Sequence, residues 1–191
     1  MKKIFLFALP IFAIACSSDD EKKPVEIPQA PLTQSNNGEI FNKKFEGLLS
    51  NYYLLQQSFV KEDTTAITTT AKALMLAADS LPLKLLKADT VIIETAKGNA
   101  QNISDDIKGL LGEKDLENKR KSFEIISNHL LELTRVVQYD KAVVYLIHCP
   151  MAFNNKGADW LSNSDEVINP YLPKIMPSCG EVKDSIDYRK K

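Results

Sequence analysis

Residues 41–59 read FNKKFEGLLSNYYLLQQSF. Apolar side chains return at Phe41, Phe45, Leu48, Leu49, Tyr52, Leu55 and Phe59, in steps of three and four. That spacing puts them on one face of an α-helix, and such a face must be covered by other apolar surface. Asn36, three residues before Glu39, marks a helix start of capping-box type. Three more segments repeat the pattern. Asp63 or Thr64 can cap a second helix with Ile67, Ala71, Leu74, Ala78 and Leu81 in register, which Pro82 interrupts. Residues 83–87 are ambiguous. A third stripe runs Ile92, Ala96, Ile103, Ile107 and Leu110 and closes near Gly112. A fourth follows Asp115 with Phe123, Ile126, Leu130, Leu133 and Val137. Short connections favour antiparallel neighbours, so the expected fold is mainly α, an up-and-down four-helix bundle.

After Tyr139 the pattern changes. Residues 142–147 (AVVYLI) form a continuous β-branched apolar run, which fits a buried strand or a final helical turn. Residues 150–180 then gather Pro150, Pro170, Pro173 and Pro177 with several asparagines. An irregular stretch of this length inside a domain is usually functional. The bundle is therefore expected to carry an irregular C-terminal lobe, with room for a short β-hairpin. The domain plan is 1–15 leader, 16–37 tether and 38–191 a single domain, split into a bundle over 38–139 and a lobe over 140–191.

The chain has 191 residues, enough for one domain with a sizeable core plus a tail. Lys+Arg 24 nearly balances Asp+Glu 25, and only Arg120, Arg135 and Arg189 are arginines, so no basic footprint for nucleic acid exists. With only two histidines, a His-rich metal cage is excluded.

Met1-Lys2-Lys3 is a short cationic start, followed by the apolar run Ile4–Ile14 and then Ala15-Cys16. The run is short for a membrane span and contains Pro10. A charged start, a brief apolar stretch and small residues describe a secretory signal. With Cys16 directly after Ala15, it resembles a bacterial lipoprotein signal, although Ala13 stands where leucine is usual. The resemblance implies cleavage before Cys16 and lipidation of its thiol with palmitate-type acyl chains. Each buried methylene contributes about 0.8 kcal/mol, so several chains anchor a domain to a membrane durably. Ser17-Ser18-Asp19-Asp20-Glu21 resembles the surface-export signal of Bacteroidetes-type lipoproteins, or is a solvated spacer. The expected location is the outer membrane, with the periplasmic or cell-surface face left open. Residues 17–37, with Pro24, Pro28 and Pro31 among polar residues, form an extended tether.

Four sulfur residues stand in the C-terminal lobe. In Cys149-Pro150-Met151, proline biases Cys149 toward an extended conformation, and residues two apart on an extended chain point to one face. In Met176-Pro177-Ser178-Cys179, proline occupies the second place of a β-turn that brings Met176 and Cys179 together. Gly180 leaves room for close backbone approach. If the two pairs face each other, four soft sulfur atoms surround one point. Thiolate and thioether ligands select Cu(I) over harder ions, with His148 a borderline fifth ligand. The alternative is a Cys149–Cys179 disulfide, as suits an exported protein, worth about 3–4 kcal/mol in the chain-entropy model. Met151 and Met176 would then be core fillers. Free buried thiols are the third possibility.

The run His148–Ser162 (HCPMAFNNKGADWLS), then Asn169-Pro170-Tyr171 and Cys179-Gly180-Glu181-Val182, resembles the domain of unknown function 3347 family. That family occurs in Bacteroidetes-type lipoproteins and appended to membrane-fusion adaptors of copper and silver efflux pumps. The resemblance covers about residues 148–183, and the helical stretch before it fits the family's helical body in outline. By association it implies copper handling, with an efflux adaptor or another envelope protein as partner.

Weaker features have plainer readings. Trp160 could lie over a bound cation but more often such a residue anchors a core. Asn154, Asn155 and Asp159 offer oxygen atoms near the site, yet their spacing does not match a calcium loop and suits turns. His129 and Glu132 lie three apart on the fourth helix without the Glu-x-x-His of a dicarboxylate site. Asp105 and Asp106 are adjacent and point apart. No Gly-x-Ser-x-Gly elbow, phosphate loop or dinucleotide fingerprint occurs, so no enzyme activity is expected. The expected function is an outer-membrane lipoprotein that binds a soft metal ion, Cu(I), for sequestration or efflux. Its ligands would be Cys149, Met151, Met176 and Cys179, with His148 and Trp160, Asn154 and Asn155 nearby. The competing expectation is a non-catalytic protein-interaction module, stapled by the disulfide and free of metal.

Overall fold

The computed structural model describes residues 37–189. The signal, Cys16 and nearly all of the tether, with the capping box expected at Asn36, lie outside the described residues. Four long helices follow: α1 (Glu39–Lys61), α2 (Thr64–Asp79), α3 (Thr90–Gly112) and α4 (Leu116–Val137). Their starts follow local chemistry. Asp63 caps α2 by accepting the N–H groups of Thr65 and Ala66 at 3.0 and 2.9 Å. Asp115 caps α4 through the Asn118 N–H at 2.8 Å. α1 opens after Gly38 without a side-chain cap. Its start is tied instead to the end of α4, where Asn37 Nδ2 donates to the Val137 carbonyl at 2.8 Å. Residues 83–85, left ambiguous by the sequence, are a 3-10 turn.

The stripes become the core. Every apolar position expected in α1 and α4 is buried, as are Ile67, Ala71, Leu74 and Ala78 of α2. In α3 the stripe holds from Ala96 onward with Ala100 added, while Ile92 in the first turn is only half-buried. Successive helices pack on one another, and large aromatics close α4 back onto α1. The Phe123 ring stacks on Tyr52 with centroids 5.2 Å apart and tilts against Phe59 at 4.9 Å.

The C-terminal lobe is more regular than its composition suggests. β1 (Val144–Cys149) pairs antiparallel with β2 (Ala158–Ser162) on one side and with β3 (Glu181–Ile186) on the other. The ambiguous run at 142–147 thus resolves as strand from Val144, the hairpin is β1–β2, and a third strand joins it. A register shift between Leu146 and Ile147, which pair with Asp184 and Val182, marks a bulge in β3 at Lys183.

One buried hydroxyl joins bundle to sheet. Tyr52 of α1 shares a 2.7 Å hydrogen bond with Ser127 of α4 and accepts the Leu161 N–H of β2 at 3.0 Å. A second tie runs from the end of α1. There Glu62 adopts a left-handed cap conformation and pairs with Arg120 of α4 at 3.0 Å and with Lys174 of the C-terminal loop. Arg120 also donates from Nε to the Pro170 carbonyl at 3.0 Å.

Tyr52→Phe keeps the ring and strands the Leu161 N–H in the core. A loss of about 1–3 kcal/mol in chemical denaturation, with unchanged m, is expected. The cations of Lys174 and Arg120 hold the Glu62 carboxyl below its ordinary range. A carboxylate with depressed folded-state pKa stabilises the fold above its unfolded pKa and loses that contribution as pH falls through the folded value. Glu62→Gln should therefore cost about 1 kcal/mol at neutral pH, a difference that shrinks below about pH 4 in an acid titration of stability.

Candidate functional site

The site is built at the end of β1. Strand alternation sends Ile147 and Cys149 to one face, with their β2 partners Trp160 and Ala158. It sends His148 to the opposite face, across from Asp159. There His148 Nδ1 is bound to Asp159 Oδ1 at 2.5 Å, and Lys183 donates to the second carboxylate oxygen at 3.0 Å. That contact engages Nδ1, and strand alternation turns the ring to the face opposite Cys149.

Beyond Pro150 the chain reverses through a left-handed turn. Phe153, Asn154 and Asn155 have φ of 50°, 59° and 65°, and Gly157 follows at 80°. Asparagine tolerates this conformation, which accounts for the Asn-Asn pair in physical terms. The second sulfur segment is the expected turn, with the Cys179 N–H donating to the Met176 carbonyl at 3.1 Å.

These two segments meet. Cys149 Sγ lies 2.9 Å from Cys179 Sγ, and both cysteines are free thiols. Cys149 is fully buried and Cys179 partly so. The neighbouring Cys149 thiol, with burial, holds the Cys179 proton above the ordinary thiol range, while a hydrogen bond from the Met151 backbone pulls the other way. Met151 and Met176 are 41% and 36% exposed and line one open groove of about 410 Å³, together with Phe153, Tyr171 and Ile175. Asn154 and Asn155 border the same groove. A thioether half in water can reach a ligand, unlike a core filler.

Trp160 lies beneath this arrangement. It is fully buried, with its indole edge-on to Tyr171 at 5.8 Å. Among the described residues its Nε1 has no hydrogen-bond partner. It anchors the lobe's core and does not cover an exposed cation. Gly180 crosses directly over it. A Cβ there would stand 3.0 Å from both the Trp160 ring and the His148 carbonyl, at a φ of 148°.

Sequence reasoning missed Asn169 as part of the site. It is wholly buried, and its amide nitrogen reaches Cys149 Sγ, the Cys179 carbonyl and the Met176 carbonyl at 3.3, 3.1 and 3.2 Å. Nothing in the spacing of a proline-rich loop separates a buried asparagine from an exposed one.

Elsewhere, His129 pairs with Asp106 at 2.6 Å and Glu132 with Arg135, so the two residues three apart on α4 serve different neighbours. Among the described residues no three His, Cys, Asp or Glu side chains form a metal-holding group. Likewise no described helix is long and apolar enough to cross a membrane. What the lobe assembles is two thiols in contact and two thioethers in one groove.

Gly180→Ala must push the methyl into the Trp160 ring or the β1 backbone. A loss of about 1–3 kcal/mol is expected, with a shift in the emission of the sole tryptophan.

Comparison with known proteins gives a family. No curated protein and no solved structure matches the chain. The family model described as Protein of unknown function (DUF3347) matches residues 48–141. The match runs from mid-α1 through α4 and ends before β1, so it rests on the helical body, whereas the sequence resemblance rested on residues 148–183. Over that helical body, residues 48–141, the chain matches the DUF3347 family.

Proposed function

We propose that this domain binds a soft metal ion, Cu(I), at the sulfur site of its C-terminal lobe, for sequestration or hand-over to an efflux system. The observation that carries the reading is the contact of Cys149 and Cys179, thirty positions apart, beside a groove lined by Met151 and Met176. Two thiolates in contact repel unless a cation or an S–S bond relieves them. Thiolate and thioether donors suit Cu(I), which accepts few ligands and soft ones. The half-exposed methionines would meet an ion arriving from solvent or a partner. Under this reading Cys149 and Cys179 supply charge, Met151 and Met176 complete the ligand shell, and His148 takes no part. The role is binding without catalysis. Cys16 would carry the lipid that holds the domain at the outer membrane, and a metal-efflux adaptor or another envelope protein would receive the ion.

The same 2.9 Å contact also favours the stapled, metal-free interaction module, since a disulfide needs only a closer approach of the two sulfur atoms, to about 2.05 Å. The two readings separate cleanly. Competition of reduced protein against a chromogenic Cu(I) chelator should give one equivalent bound. Cys149→Ser should abolish that binding, and the Met151→Leu/Met176→Leu pair should weaken it roughly 10–100-fold while keeping core volume. Unchanged affinity in the Cys149 variant contradicts the metal reading. Protein isolated without reductant that is lighter by two hydrogens, and that binds no copper after reduction, establishes the staple instead.

A further inference from the structure

We propose that Asn169 is the positioning residue of the sulfur site, its buried amide fixing the Cys179 turn against the end of β1 and so setting the separation of the two sulfur atoms. The inference rests on reading Cys149 and Cys179 as the site, and extends it to a residue that touches no solvent.

The need for such a residue is structural. Cys149 is held by the ladder of β1 with β2, through its pairing with Ala158. Cys179 itself is in no ladder, the first paired residue after it being Glu181 of β3, opposite His148. It lies in the stretch between β2 and β3, which contains neither helix nor strand. A loop without a ladder holds a side chain to sub-ångström tolerance only if buried polar contacts fix it.

Asn169 supplies those contacts in both directions. Its Oδ1 accepts the N–H groups of Tyr171 and Leu172 at 2.8 and 3.2 Å. That fixes the orientation of the amide, because a flipped group would set oxygen against two carbonyls and a sulfur. The Nδ2 atom then bridges three points: Cys149 Sγ on one segment, and the carbonyls of Met176 and Cys179 at the two ends of the other. The Asn169 backbone N–H adds a bond to the Pro177 carbonyl at 2.9 Å. One side chain thus spans both sulfur segments. An N–H aimed at sulfur also suits a sulfur that bears negative charge when it holds a cation.

The test uses Asn169→Asp, which keeps the size and the Oδ1 acceptor and removes both N–H donors. Measurements are made on the full chain in a Cys16→Ser background, so the third cysteine stays out of the exchange. The first readout is equilibrium with glutathione disulfide. A Cys149–Cys179 bond forms, the glutathione S–S bond breaks, and the two thiol protons end on two glutathione thiols. That constant reports how closely one thiol is held to the other, whether or not copper is a ligand. Asn169→Asp is expected to lower it at least about tenfold. The second readout is Cu(I) affinity, expected to fall roughly 10–100-fold. Leu74→Ala, in the buried core of α2, is the control, a packing loss that leaves the loop and its amide untouched; it should lower the denaturation midpoint and leave the exchange constant in place. Should Asn169→Asp fail to fold, Asn169→Ser, which buries no charge, replaces it with the same expectations. An exchange constant unchanged in the Asn169 variant, or lowered as much by Leu74→Ala at equal loss of stability, overturns the proposal. A lowered constant in a protein whose parent chain binds no Cu(I) sustains the role of Asn169 and removes the metal reading alone.

Discussion

The hydroxyl of Tyr52 fixes where the sheet stands on the bundle. Apolar burial drives the four stripes together but has no direction, so it cannot by itself decide how a small sheet docks on a helical surface. The Tyr52 hydroxyl can, because it is buried between one donor-acceptor partner on α4 and one backbone donor on β2. Leaving that backbone N–H without a partner costs more than a typical hydrogen bond contributes. Placement of β2 sets β1 through their ladder, and β1 ends at Cys149. The position of the first sulfur atom is therefore inherited from the bundle.

The second sulfur atom reaches its place by different means. Its loop is pinned at one end by Arg120 and Glu62, which hold Pro170 and Lys174 against the ends of α4 and α1. At the other end Gly180 passes close over Trp160, where no larger residue fits without displacement. Next in sequence to Pro170 lies the buried amide of Asn169. Charge pairs near the surface, close backbone approach and a buried polar contact thus act on one loop. Of the three, only the last touches sulfur.

Much of this was legible in the sequence, and the division follows the range of the forces. Helix stripes are local and periodic, so Phe41 to Phe59 and Phe123 to Val137 announced their buried faces directly. Of the two cap candidates for α2, Asp63 and Thr64, it is Asp63 that caps, and Asp115, after which the fourth stripe was placed, caps α4. The run at 142–147 stayed ambiguous because a strand buried on both faces loses its alternation, and only pairing with β2 and β3 resolves it. Proline spacing brought Cys149 and Cys179 under suspicion, and they do meet. His148 is the instructive departure. Its neighbour in sequence is a sulfur residue, but adjacent residues on a strand face opposite ways, and His148 meets Asp159, its partner on β2, through Nδ1. Asn169 was invisible as a partner because its contacts bridge segments that no local pattern connects.

Cu(I) held at the proposed site would be surrounded by sulfur. X-ray absorption at the copper edge, on reduced full chain loaded with one equivalent of Cu(I), reads the identity of the bound atoms without mutation. A first shell of sulfur alone is the result the account requires. Nitrogen or oxygen scattering characteristic of imidazole or carboxylate, or copper lost to a modest chelator before the spectrum is taken, contradicts it.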